Sequence, residues 1–326
     1  MALTNFANGV ASWGIPVMGG LPPTFGNIWF VDYNKGSDGN NGKSTLKPFK
    51  TLSKAYAAAV TNNNDYILIN GYAEVVETAM IDFTKSRVHV IGCNGPAPGL
   101  GYGAGARVTL GTTGVAGDIA TLKNTGVRNT FTGIKFSNSS ATTTCLYTVA
   151  EGGEYTRYNN CEFYKSGLLT TDLTAEVLCN GDSSQWYGCT FGDLVNERGA
   201  STKERPNVLF TRELITGKVA RDCSFVDCTF LQKAAHVDVC FMYGPNATDI
   251  ERRLLIKNPV FWNCVLATAD PADAINFGAA QTGGDVMVVN PAAVNTTAIA
   301  GANLNIYVIG PVPTAATVGL CVEVAA

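Results

Sequence analysis

The sequence predicts an all-β protein wound as a parallel β-solenoid, and three observations lead there. Its composition suits short strands and many turns, one short motif recurs through the middle of the chain, and alternating strands flank that motif on both sides. The 326 residues carry a formal net charge of −3, with 46% hydrophobic residues and only 15% charged ones, against roughly 25% charged in an average soluble domain. That apolar share supplies a real core, so the chain is not disordered. Near-neutral, slightly acidic charge argues against nucleic acid as a partner, and no apolar run is long enough to span a bilayer, so no membrane partner is expected. Glycine is abundant at 35 residues. Thr, Asn, Ala and Val outweigh the Glu, Lys and Leu that normally fill helices. The stretch from Met1 to Gly20 lacks a basic opening, a compact apolar block and a small-residue cleavage site, so it does not read as a secretory signal.

The recurring motif is an aromatic, a variable residue, Gly, Asn or Asp, then Ile or Cys, a variable residue and Phe. It runs from Phe131 to Phe136, Tyr158 to Phe163, Trp186 to Phe191 and Phe225 to Phe230, and more loosely from Phe261 to Leu266. The fourth position reads Ile134, Cys161, Cys189, Cys228 and Cys264, at intervals of 27, 28, 39 and 36 residues. Gly, Asn and Asp tolerate left-handed backbone, so the third position is a bend. The Cys and the Phe two residues on share a strand face, because side chains alternate with period two. A bend and a short inward-facing strand repeated at this period make one coil of a solenoid, and matching residues stack as a buried ladder. The longer intervals predict insertions between coils.

Further strands extend the stack, upstream at 66–69, 87–91 and 107–110 and downstream at 285–289, 306–309 and 318–322. One helix is predicted near 51–60, with Thr51 as its cap and Leu52, Tyr56 and Ala59 or Val60 on one face. Placed before the first coil, it reads as a lid on the open end of the stack. The ten cysteines contain no CxxC pair and are accompanied by only two histidines, His89 and His236. No zinc spacing can be assembled from them, so they are expected as reduced, buried small hydrophobes rather than disulfides.

Val31-Asp-Tyr-Asn-Lys-Gly-Ser-Asp-Gly-Asn-Asn-Gly42, then Lys47 to Ala55 and Asp65 to Gly71, resemble the opening of right-handed parallel β-helix proteins of the pectin-lyase-like superfamily. The downstream Asn/Gly-Cys-x-Phe rungs are similar too, and together they cover roughly residues 29 to 270. The resemblance implies the fold more than an activity, because lyases, glycosidases, adhesins and bacteriophage virion proteins share this opening. Met1 to Val17 also resembles the short leaders of tailed-phage structural proteins. It carries no charge and presents Val10, Trp13, Ile15, Val17 and Met18 among glycines. These residues are expected either to cover the first coil or to form an arm laid on a capsid shell by apolar burial.

Lyases of this fold use acidic clusters around calcium with an Arg or Lys base, and glycosidases use two facing carboxylates. The Asp38 to Gly42 loop lacks the acidic set of a calcium site and reads as a turn. Glu151 and Glu154 form a possible pair but sit in a Gly-containing, solvated loop. Glu162, Asp222 and Asp227 flank the ladder cysteines and point outward, out of step with each other. His89 alternates away from its apolar neighbours, and Gly99 to Gly105 lacks the setting of a phosphate loop. No catalytic, cofactor or metal residues are assigned.

Charge gathers in the two enlarged intervals, from Asp193 to Asp222 and from Asp249 to Arg253. Arg198, Glu204, Arg205, Arg212, Arg252 and Arg253 are therefore candidates for a lateral contact between subunits, with solvated loops as the alternative. After about Ala274 the motif stops, and an apolar β segment must close the solenoid or pair with other copies. The chain is thus expected as an extended arm over 1–27, a β-helix over 28–274 and a capping or oligomerising β segment over 275–326. The small size, the short leader and the lack of an acidic cleft, set beside the resemblance, lead to the expectation of a non-enzymatic virion protein made in the host cytoplasm: a capsid decoration or cement protein on the capsid surface. Its partners would be the major capsid protein and two further copies of itself, with other minor virion proteins or a host surface glycan also possible partners. The alternative is a tail-spike or head-fibre protein that binds or cleaves host polysaccharide.

Overall fold

The computed structural model describes residues 11–12, 15–16, 26–71, 74–93, 105–111, 115–169, 171–198, 205–211, 215, 217–234, 236, 238–264, 271–277, 283–300, 305–310 and 320–321. Three parallel sheets of ten, nine and eight strands run the length of the stack, here called first, second and third in the order the chain visits them. One coil passes through Thr130–Thr132 in the first sheet, Ile134–Asn138 in the second and Tyr147–Glu151 in the third. It then re-enters the first sheet at Arg157–Asn159. The fold is a right-handed parallel β-helix. The stack does not end with the Phe/Cys motif, because Asp273–Phe277, Asp285–Val289, Ala292–Val294, Ala298–Ala300 and Ile306–Ile309 continue all three sheets' parallel pairing or that of the strands before them.

Between the first and second sheets the chain turns on a single left-handed residue. Gly133, Asn160, Gly188, Asp227, Asn258 and Asn290 hold φ between 49° and 63° at this tight corner. Each is of a type that bears the conformation cheaply. Their backbone N–H groups bond to the next coil: Asn160 donates to Tyr187 O at 2.8 Å, Asp227 to Lys257 O at 2.9 Å and Asn258 to Val289 O at 2.8 Å. Side chains repeat the link, since Asn258 Nδ2 donates to Asp227 Oδ1 at 2.8 Å and Asn290 Nδ2 to Asn258 Oδ1 at 3.4 Å.

This corner corrects the fifth rung of the sequence motif. The register pairs Phe261 with Phe230 rather than with Phe225, so Asn258-Pro259 takes the place of Asp227-Cys228, and Pro259 follows Cys228 by 31 residues. Asn263 does not bend the chain there. Its carboxamide accepts from Ala234 N and donates to Ala234 O, both at 2.9 Å, and Cys264 is half-buried outside the ladder.

Inside, the register stacks like on like. The first sheet contributes Phe131, Tyr158, Trp186 and Phe225, with ring centroids 4.9, 4.0 and 5.5 Å apart in succession. Phe136, Phe163, Phe191, Phe230 and Phe261 form a second column at 5.9, 5.1, 4.9 and 5.1 Å. The third sheet faces both with Leu122, Val149, Val177, Val208, Met242 and Ile275, all buried. These separations follow the strand spacing of about 4.8 Å, so aromatic stacking adds to burial at every coil.

The helix forms over Leu52–Ala58, with the Thr51 hydroxyl accepting from Lys54 N at 3.2 Å. It does cover the first coil: Leu52, Ala55 and Tyr56 are buried, and the Tyr56 ring lies 4.0 Å from Phe83, which in turn abuts Phe131 at 5.2 Å. The Glu77 carboxylate accepts from Leu52 N at 2.8 Å and Ser53 Oγ at 2.6 Å, which ties the lid to the first full coil. The Asp38 loop is a turn, as read. Its carboxylate accepts from Lys50 N at 2.9 Å, Thr51 N at 3.0 Å and Thr51 Oγ1 at 2.9 Å.

Among the described residues nine cysteines are free thiols. Cys161, Cys189 and Cys228 do line the interior, each reaching a carbonyl one coil back: Phe131 O at 3.5 Å, Tyr158 O at 3.4 Å and Trp186 O at 3.4 Å. Burial pushes the Cys161 thiol up to about 12 and raises Cys189 well above its ordinary value. A thiol whose folded pKa lies above its unfolded one contributes stability that is full below the unfolded value and is lost as pH rises through the folded one. Urea midpoints should therefore fall from about pH 9 upward, and Cys161→Val should fall less steeply. An equal slope in the variant would contradict the ladder. Trp186→Ala removes the central ring of the column and should lower unfolding free energy by about 3–5 kcal/mol, read by urea titration.

Candidate functional site: a charged corner and the groove beside it

The corner between the third and first sheets is broader and differently built. Val127, Glu154, Asp182 and Arg221 stack there through isolated parallel bridges. The next residue in each coil is again left-handed: Arg128 at φ 59°, Tyr155 at 55°, Ser183 at 57° and Asp222 at 47°, preceded by Arg87 at 56°. Backbone bonds hold this column, with Arg128 N donating to Glu154 O at 2.7 Å, Tyr155 N to Asp182 O at 2.8 Å and Ser183 N to Arg221 O at 2.7 Å.

Ions brace the corner from coil to coil. Lys218 Nζ is 3.2 Å from Glu154, Arg221 is 2.6 Å from Glu251 and 3.9 Å from Asp182, and Arg252 is 2.8 Å from Asp222 and 3.6 Å from Asp182. Arg253 lies 3.9 Å from Asp222. These side chains are partly exposed, so each pair is worth at most about 1 kcal/mol, and the network orients the corner more than it stabilises it. Arg252 and Arg253, read as lateral contacts, thus already have intramolecular partners while remaining on the surface.

Glu151 and Glu154 do not act together. Glu154 is outside with Lys218, whereas Glu151 is fully buried behind the corner rather than solvated. Its carboxyl accepts from Tyr158 OH at 2.6 Å, Gly153 N at 2.6 Å and Asn124 Nδ2 at 2.9 Å. Burial raises its pKa, with those bonds opposing. Glu162 does face outward, but Lys135 covers it at 3.4 Å and little of it meets water. His89 faces outward as expected, and its ring lies 4.7 Å from Tyr66.

Arg198 and Arg205 are corrected more sharply, because neither stands on a solvated flank. Arg198 is buried on the loop side between the second and third sheets. It pairs there with the fully buried Glu176 and donates to Arg205 O at 2.9 Å and Pro206 O at 3.1 Å. Asn207 Nδ2 donates to Glu176 Oε2 at 3.0 Å. Burial lifts the Glu176 carboxyl to about 7 despite the guanidinium. Arg205 is likewise buried, its Nε donating to Thr171 O at 3.3 Å. Glu204, Arg212, Val10, Trp13, Val17 and Met18 lie outside the described residues; Ile15 is in a two-residue strand, Ile15–Pro16, paired antiparallel with Ala11–Ser12.

Beside the charged corner, on the outer face of the first sheet, three coils enclose a groove of about 320 Å³ lined by Arg128, Thr130, Tyr155, Arg157, Ser183 and Gln185. Thr130, Arg157 and Gln185 are in register. The Tyr155 ring is 54% exposed and the Arg128 guanidinium lies 5.7 Å from its centre. Reading the sequence for carboxylate pairs passed over this set. Its one trace there is that each strand member directly precedes a motif aromatic, as Thr130-Phe131, Arg157-Tyr158 and Gln185-Trp186. Among the described residues no group of three His, Cys, Asp or Glu is placed to hold a metal ion.

No protein-family model matches the chain, and no curated protein matches it. Solved structures do. A pectin methylesterase from Aspergillus niger is 13% identical with a TM-score of 0.55, over 92% of this chain and 91% of its own. A rhamnogalacturonan lyase is 15% identical with a TM-score of 0.55, over 82% of this chain and 68% of its own. A protein of Geobacillus virus E2 is more loosely similar, 14% identical with a TM-score of 0.43, over 76% of this chain and 50% of its own. At these identities the likeness to the two enzymes shows the fold alone.

Removing Arg198 would leave Glu176 buried without its counter-charge, which costs about 3–5 kcal/mol. Arg198→Met should therefore lower the unfolding free energy of the isolated protein by that amount, read by urea titration. A variant as stable as the parent would return Arg198 to the surface role.

Proposed function

We propose that this chain is a non-enzymatic structural protein of a tailed-phage virion, a capsid decoration protein that binds and stabilises the shell as a trimer. The observation that carries this reading is what the acidic side chains do. Most of the described carboxylates join one coil to the next or fix a turn, as in Glu74 with Arg107 at 3.0 Å, Asp82 with Lys123 at 3.7 Å and the corner network. Others are sealed inside, as Glu151 and Glu176 are. A glycosidase needs two carboxylates free to face one bond, and a calcium-assisted lyase needs a base beside an acidic cation site. Acids committed to bracing suit a rod under mechanical load.

The outer face of the third sheet supports the same reading. Ala120, Tyr147, Ala150, Ala175, Leu178, Leu209, Cys240 and Tyr243 are buried together in an apolar cluster, with Ile215 packed over them. Over these coils the face is apolar, and the same outward row continues into the Lys123–Asp82 ion pair.

A receptor-binding fibre or spike is the second reading, and one observation favours it. Tyr155, at the corner leading into the first sheet, and Tyr187, in that sheet one coil on, stand exposed at 54% and 39%, and exposed aromatic rings offer faces on which the C–H groups of a sugar can pack.

Deleting residues 1–20 tests the first reading against purified shells of the phage that encodes the chain. Lost shell binding with an unchanged melting temperature is the expected outcome. Retained binding would contradict the arm, and unfolding would make the segment a cap.

A further inference from the structure

The two corners of each coil solve the same problem with opposite residue types. At the tight corner the left-handed column is Gly133, Asn160, Gly188, Asp227, Asn258 and Asn290. At the broad corner, with the same φ, it runs through Arg87, Arg128, Tyr155 and Ser183 before reaching Asp222. Large side chains disfavour this conformation, whereas Gly or Asn would bear it with little strain. Strain of this kind is retained where the side chain itself is used. Arg128, Tyr155 and Ser183 are the consecutive members of that column which line the groove.

The groove's charge is uncompensated. Arg128 and Arg157 have no carboxylate within ion-pair distance among the described residues, because the nearby Glu154, Asp182 and Asp222 are engaged by Lys218, Arg221 and Arg252. Neutral hydrogen-bonding side chains, Thr130, Ser183 and Gln185, complete the lining, with Arg157 in register between Thr130 and Gln185. Gln185 Oε1 is shielded from water, so the groove's capacity for hydroxyl groups rests on the Thr130 and Ser183 hydroxyls and the Gln185 amide N–H groups. The exposed Tyr155 ring supplies an apolar wall. Two forked cations bind an oxyanion, an aromatic face binds a ring or chain of C–H groups, and an amide with hydroxyls binds hydroxyl groups.

We infer that this groove is a binding site for a small polyhydroxylated ligand bearing one anionic group, a phosphate or a carboxylate, held by Arg128 and Arg157 against Tyr155. The site does not depend on where in a particle the protein sits. Its volume, about 320 Å³, admits one sugar-sized unit.

Glycerol 3-phosphate, glucuronate and glucose, titrated into the full-length protein and followed by calorimetry, test this. Saturable binding of glycerol 3-phosphate or glucuronate, with glucose at least tenfold weaker, is expected, and which anion binds tighter identifies the ligand's source. Arg157→Ala should weaken the tighter anion by about tenfold or more, the loss of a charge-assisted contact. Tyr155→Asn and Arg128→Asn should lose binding while melting no lower than the parent, because Asn relieves the left-handed strain. No saturable binding of either anion, equal binding of glucose, or undiminished affinity in the Arg157 and Arg128 variants would each overturn the assignment.

Discussion

The single left-handed residue between the first and second sheets is the constraint on which the rest of the structure depends. Because one residue makes that corner in each of the six coils from Gly133 to Asn290, the strands on either side of it cannot slip relative to each other. The N–H of each corner residue is held by a carbonyl of the next coil, as in Asn160 to Tyr187 and Asp227 to Lys257. Register set at the corner then places Tyr158 under Trp186 and Phe163 under Phe191. The aromatic columns, the thiol ladder and the asparagine links are consequences of that alignment.

The tight corner was legible in the sequence because its conformation selects residue types. Gly133, Asn160, Gly188 and Asp227 announce themselves, and the aromatic and Phe positions on either side follow from strand alternation. The same rule misled at the fifth rung. Asn263-Cys264 imitates the pattern, while the true corner, Asn258-Pro259, has lost its Cys. The helix was legible for a similar reason, since Thr51 caps it and its apolar face matches what the first coil leaves open.

The broad corner was not legible. Nothing in the residue types of Arg128, Tyr155 or Ser183 signals a left-handed turn, and nothing local shows that they converge from three coils. The buried charges were hidden for another reason. Arg198 and Arg205 lie in a charge-dense stretch that reads as solvated. Only folding brings Arg205 O and Pro206 O over Arg198, and Glu176 beneath it. Glu151 likewise looks like a loop residue until Tyr158 and Asn124 close on it. Charge density along a sequence therefore marked the one enlarged interval, between Cys189 and Cys228, but not which of its charges meet water; the second charged stretch, Asp249 to Arg253, is part of the broad corner and a first-sheet strand.

A chain in which stacked rings carry the core and ion pairs stitch successive coils is suited to being a rigid part of an assembly. The most direct measurement of that account is the copy number of the protein in purified virions, by quantitative mass spectrometry against the major capsid protein. The account predicts hundreds of copies in fixed ratio to the shell. A handful of copies would place the protein on the tail, and its absence from particles would contradict the structural role altogether.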